Sequence, residues 1–103
     1  MAIYTQSSDG GNTLIIQVQG KFDFGSHGEF SKAYKSPTEP GINYQIDLSK
    51  TESMDSAALG MLLMVKEYAE NNKGTVTLCR PSPDIKKIFE VANFHTLFTI
   101  KDA

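Results

Sequence analysis

Apolar side chains recur at every second position in some stretches of this chain and at three- and four-residue intervals in others. Thr13–Gln19 alternates, with Leu14, Ile16 and Val18 on one side and Thr13, Ile15, Gln17 and Gln19 on the other, as a strand requires. Ala2–Gln6 precedes it across a Ser7-Ser8-Asp9-Gly10-Gly11-Asn12 turn cluster, so a β-hairpin is expected. Asn43–Leu48 alternates again through Tyr44, Ile46 and Leu48, and Thr75–Cys79 through Val76 and Leu78. Thr96–Lys101 reads as a last strand, while Gly20-Lys21-Phe22-Asp23 is expected to leave the sheet.

Helical spacing fills the gaps. Ser26-His27-Gly28-Glu29 has capping-box spacing, followed by Phe30, Ala33 and Tyr34 as a buried stripe that must end before Pro37. A longer helix is expected from about Ser56 to Asn72, closed by Asn71-Asn72-Lys73-Gly74. Ser82-Pro83-Asp84 opens a third, with serine as N-cap and proline at the first helical position, and Ile85, Ile88, Phe89 and Ala92 facing the core. A parallel sheet covered on both faces carries continuously apolar strands. These strands are half polar, so the helices are expected to pack mainly on one face of a mixed sheet. The fold class is α/β.

Composition narrows the function. At 103 residues the chain has room for one domain and one modest core. Apolar residues make up 40% and charged residues 21%, the mix of a globular protein and not of a disordered one. Ten basic against twelve acidic residues give a net charge of −2, with no Lys/Arg cluster interleaved with aromatics. Nucleic acid is therefore not an expected partner. The N-terminal residues lack the basic and apolar regions of a signal peptide, and the longest apolar run, Ala57 to Val65, is too short to span a bilayer. Cys79 is the only cysteine, so no internal disulfide can form. A cytoplasmic protein without membrane insertion is expected.

Enzyme chemistry finds little footing. No Gly-x-Ser-x-Gly elbow exists, and His27, His95 and Cys79 have no metal-ligand spacing. Gly10-Gly11 and the glycines at 25 and 28 form no phosphate loop. No catalytic residue, metal or other cofactor is expected.

The most informative stretch is Asp47-Leu48-Ser49, a short gap, then Met54-Asp55-Ser56-Ala57-Ala58-Leu59-Gly60 and an apolar helix. Read alone, Asp55-Ser56 does no more than start a helix, one of the two serving as N-cap. The whole pattern, however, resembles the STAS domain of bacterial anti-sigma-factor antagonists, and the resemblance extends over nearly all of residues 1–103. Gly20-x-Phe22-Asp23 stands where that family has the loop after its second strand. The family pattern has a small hydroxyl residue and a glycine after the serine; here these are Ala57 and Ala58, so Ser56 is the one hydroxyl candidate at that turn.

The resemblance implies a binding module that is not an enzyme. Ser56 would be the switch serine, phosphorylated by a serine kinase/anti-sigma-type regulator that the unphosphorylated form binds. A serine/threonine phosphatase of the metal-dependent class would reset it, and ATP and magnesium would belong to the kinase. Asp23, Asp55, Ser56, Leu59, Gly60 and Leu63 would form the partner surface. On a helical wheel Ala58, Met61, Leu62, Met64, Val65, Tyr68 and Ala69 share the apolar arc, while Leu59 and Leu63 fall among Lys66, Glu67 and Glu70. From the wheel alone these two leucines either pack under a loop or stand exposed; the resemblance favours the second. The alternative function is a STAS subunit of a membrane transporter, of ABC or anion type, binding its permease with no phosphorylation cycle.

Overall fold

The computed structural model describes residues 2–102. β1 (Ala2–Ser8) and β2 (Thr13–Phe22) form the expected antiparallel hairpin, with Ile3 opposite Val18 and Ser7 opposite Leu14. α1 (His27–Lys35) follows, then β3 (Asn43–Asp47), β4 (Thr51–Met54), α2 (Ser56–Asn71), β5 (Thr75–Cys79), α3 (Pro83–Val91) and β6 (Thr99–Lys101). The sheet runs β1-β2-β3-β5-β6, and β4 pairs with the far end of β2. Among the described residues only the β1–β2 pair is antiparallel; β2–β3, β2–β4, β3–β5 and β5–β6 are parallel. This is the mixed α/β sheet that the alternation predicts.

One face of the sheet carries the core. Ile16, Ile46 and Leu78 lie in register across β2, β3 and β5, and all three are wholly buried. They share a single cluster with Phe30 and Tyr34 of α1, Met61, Leu62 and Val65 of α2, and Ile85 and Phe89 of α3. Val76, expected in the core, is only half-buried at its margin, and Ile88, also expected there, is half-buried outside the cluster. The opposite face holds Ile15, Gln17, Gln45, Thr77 and Cys79, all half-buried. Aromatic rings Phe22, Phe30, Tyr34 and Tyr68 follow one another with centroids 5.1, 5.6 and 5.3 Å apart, tying α1 to β2 and α2.

Four expectations need correcting. Gly20–Phe22 does not leave the sheet; it continues β2 and pairs with β4, a strand too short to show in the pattern. The register shifts between Gly20 and Lys21, and Gly20 sits at φ 84, a left-handed conformation that glycine adopts freely at a bulge. The capping box is also displaced. Ser26 makes no side-chain cap for α1; its Oγ accepts the Asp23 backbone N–H at 3.4 Å, closing a 3-10 turn over Phe24–Ser26. The final strand starts at Thr99, because Phe94–Thr96 forms another 3-10 turn. Lastly, Met64 stands 48% exposed instead of joining the core, since its place on the wheel is the edge of the apolar arc.

The ends of α2 match expectation. Asn72 is its C-cap, and the Gly74 N–H returns to the Ala69 carbonyl at 2.7 Å. A side chain at Gly74 would run into the Ile42 backbone carbonyl, so this glycine is needed for close approach. Among the described residues no helix is long and apolar enough to cross a membrane.

Candidate functional site

Parallel pairing of β2 with β4 brings two loops to one end of the sheet. Phe22 lies opposite Met54, and the Asp55 backbone N–H donates to the Phe22 carbonyl at 3.3 Å. Asp23 and Asp55 are thus the first residues to leave two adjacent strands in the same direction. Asp23 enters the tight turn that Ser26, itself wholly buried, closes from below; the Ser26 N–H also donates to the Asp23 carbonyl at 2.9 Å. Asp55 is extended (φ −103, ψ −178) and is the N-cap of α2, its Oδ1 accepting the Ala58 N–H at 2.9 Å.

Ser56 is therefore the first residue inside a 16-residue helix, and it is exposed. Its position joins a hydroxyl open to an attacking enzyme with the positive end of a helix macrodipole. A phosphate placed there is tolerated by free N–H groups and the dipole. No acidic residue occupies the first turn beyond the Asp55 cap.

Gly60, Leu63 and Glu67 continue from Ser56 along the outer side of α2. Leu63 is 42% exposed and Glu67 is exposed. Gly60 has open space where a Cβ would stand, so nothing within the chain calls for a glycine there, although glycine costs a helix interior ~1 kcal/mol relative to alanine. The two wheel leucines separate. Leu63 is open, whereas Leu59 is half-buried against the core and borders an apolar groove of about 360 Å³ with Ile88 and Val91 of α3 and its C-cap Ala92. Four of the six candidate residues, Asp23, Asp55, Ser56 and Leu59, thus belong to the strand ends and first turn of α2, with Gly60 and Leu63 one turn further on.

Phe24 went unnoticed in the pattern. It is 69% exposed beside Asp23, and periodicity had no strand or helix there against which to judge an outward aromatic.

The first half of the sequence motif is engaged elsewhere. Asp47 is buried, and its partners are Gln17, Ser49 and Arg80. Oδ2 accepts from Arg80 at 2.6 Å and from Gln17 Nε2 at 3.2 Å, and Oδ1 accepts the Ser49 N–H at 3.0 Å. Burial alone would raise the Asp47 pKa, but the hydrogen bonds from Ser49, Arg80 and Gln17 together outweigh it and hold the carboxyl below its ordinary value. Neighbouring Cys79 is pushed the other way, by burial and then by the Asp47 charge. A raised thiol pKa leaves little thiolate near neutral pH, and the half-buried Cys79 fills space in the sheet.

A family model described as "Mlab, STAS domain" matches residues 5–99. The chain belongs to the STAS-domain family. A STAS-domain containing protein of Pseudomonas aeruginosa (strain UCBPP-PA14) is 40% identical over 100 residues, covering 97% of this chain and 99% of that one. Among solved structures, an anti-sigma-factor antagonist (STAS) domain protein from Planctomyces limnophilus superposes with a TM-score of 0.83 at 15% identity, covering 98% of this chain and 90% of that one. The anti-sigma factor antagonist SpoIIAA in its unphosphorylated form gives 0.71 at 20% identity, over 99% and 89% of the two chains. At such identities these structures speak for the STAS fold, and they bear out the mixed sheet and the strand–helix order expected from the sequence.

Proposed function

We propose that this STAS domain, taken as residues 1–103, is a partner-switching regulator of the anti-sigma-factor antagonist type. Unphosphorylated, it binds a serine kinase/anti-sigma-type regulator in the cytoplasm through Asp23, Asp55, Ser56, Leu59, Gly60 and Leu63. Phosphorylated at Ser56, it lets go, and a serine/threonine phosphatase of the metal-dependent class restores the binding form. It does no chemistry of its own.

The observation that carries this reading is the exposed hydroxyl of Ser56 at the start of α2, with exposed Leu63 on the same side of the helix. A phosphate adds ~1.5–2 negative charges near neutral pH. The helix N-terminus can bear that charge, so the fold need not change. A partner covering the uncharged surface must instead desolvate a dianion next to Asp55, and binding fails through desolvation and like-charge repulsion. SpoIIAA, which has the same fold, is known in a phosphorylated form as well as an unphosphorylated one; this supports the compatibility of the fold with such a cycle.

Affinity capture from the native cell, with wild-type chain, Ser56→Ala and Ser56→Asp as baits, tests the proposal. Mass spectrometry should find a kinase with wild type and Ser56→Ala and lose it with Ser56→Asp. Recovery of a permease and an ATPase, equally with all three baits, would contradict it and favour a transporter subunit.

A further inference from the structure

Six large apolar side chains are exposed among the described residues: Tyr4, Phe24, Leu63, Met64, Val91 and Leu97. Leu63 and Met64 lie on α2 beyond Ser56, and Val91 borders the Leu59 groove. Phe24 follows Phe22, the residue whose carbonyl receives the Asp55 N–H, by two positions. Phe24 is the residue after Asp23 and Leu63 lies on the Ser56 side of α2, whereas Tyr4 sits on the edge strand β1 and Leu97 follows the 3-10 turn after α3.

Phe24 is the one least explained by folding. Its turn is fixed from inside, by the Asp23–Ser26 backbone and hydroxyl hydrogen bonds and by the wholly buried Ser26. A side chain even at Gly25 would press on the Asp23 carboxylate at 3.1 Å. The turn is thus held while the largest of its side chains stays 69% exposed. The Phe24 ring lies 6.0 Å from that of His27. His27 in turn shares the crevice between α1 and α2 with Met64. Phe24 and His27 thus stand together at the start of α1, on the side of α2 that Met64 borders, while Leu59 faces α3. A rigid aromatic presented at little cost in conformational entropy is the kind of side chain that dominates protein interfaces.

We propose that Phe24, with the His27 ring beside it, is a second anchor of the partner surface. The protein that covers Ser56 receives the Phe24 ring in an aromatic-sized apolar pocket, and the fit of that pocket selects the partner. The proposal rests on the partner-switching reading for the identity of the occupant, and it adds a contact that does not itself sense phosphate.

Site-specific photocrosslinking in the native cell tests it. The probe is p-benzoylphenylalanine, installed singly at position 24, at position 63, or at position 4 as the remote control. Positions 24 and 63 should crosslink to the same protein and position 4 should not. In parallel, Phe24→Ala should retain about tenfold less of that protein than wild type, and Tyr4→Ala should retain it within about twofold, with melting temperatures of both close to wild type. An adduct from position 63 without one from position 24, or wild-type retention by Phe24→Ala, would overturn the anchor and leave the switch intact. Matching adducts at 24 and 63 that persist unchanged on a Ser56→Asp background would keep the anchor and overturn the switch. No adduct at either position would overturn both.

Discussion

Two aspartates close to serines stand on either side of β4, and the chain uses them in opposite ways. Asp47 is buried, and Arg80, Gln17 and the Ser49 N–H saturate its carboxylate. Asp55 is exposed, has given one oxygen to cap α2, and stands next to an exposed serine in a neighbourhood of uncovered apolar side chains. The first group is polar and complete within the chain. The second leaves Ser56, Leu63, Met64 and Phe24 to solvent. A polar cluster whose bonds are all internal belongs to the architecture; surface without an internal reason calls for something outside the chain. Sequence proximity and shared residue types conceal that difference, and burial reveals it.

The comparison is most forcefully tested within α2 itself, where neighbours point opposite ways. Leu62 is wholly buried and Leu63 is not. Leu62→Ala should lower stability by ~2–5 kcal/mol, and Phe89→Ala, on the buried side of α3, by ~3–5 kcal/mol. Chemical denaturation measures both, and unchanged curves would mean that the core is wrongly drawn.

The buried aspartate comes next. Its carboxyl is held below the ordinary ~3.9, so its contribution is complete above that pH and is lost as the pH falls through the lower folded value. Asp47→Asn should cost on the order of 1–2 kcal/mol near neutral pH and flatten the acid limb of the stability curve below about pH 4. An acid limb identical to wild type would remove Asp47 from the architecture.

Much of this was legible in the sequence, for reasons visible residue by residue. Leu14, Ile16, Val18, Tyr44 and Ile46 alternate because one sheet face is wet, and that alternation implied the helices' side. Ser82-Pro83 marked the start of α3 because an N-cap serine, here accepting the Ile85 N–H at 3.3 Å, and an N1 proline are local devices. β4 escaped notice because four residues offer too little periodicity and its stability comes from β2. The Ser26 capping box was misplaced because Asp23 competes for the same hydroxyl, a tertiary matter that spacing cannot arbitrate. Met64 lies at the border of the wheel's apolar arc and Leu59 inside the charged one, and packing against α1 and α3, which a wheel does not contain, decides their exposure. The six candidate residues came from the family resemblance that the D-S motif and Gly20-x-Phe22-Asp23 carry; Phe24, outside any periodic element, gave no signal.

Smaller effects probe the outward side. Leu63→Ala should weaken the captured partner by ~1 kcal/mol or more while the melting temperature stays near wild type; titration calorimetry beside thermal melting separates the two. A large stability loss with unaltered affinity would return Leu63 to the core. Gly60→Ala should do the reverse of most surface changes. With room for the methyl group, it should raise the stability of the free chain by up to ~1 kcal/mol and weaken partner binding. A gain in stability with full affinity would show that the partner does not approach α2 at Gly60.

The central claim concerns Ser56, and one measurement addresses it most directly. The chain is prepared with phosphoserine at position 56 and, separately, unmodified, and the affinity of each for the captured kinase is determined. The account predicts about a tenfold or greater loss on phosphorylation, with superimposable amide NMR spectra apart from residues near the start of α2. Equal affinity of the two forms would contradict it.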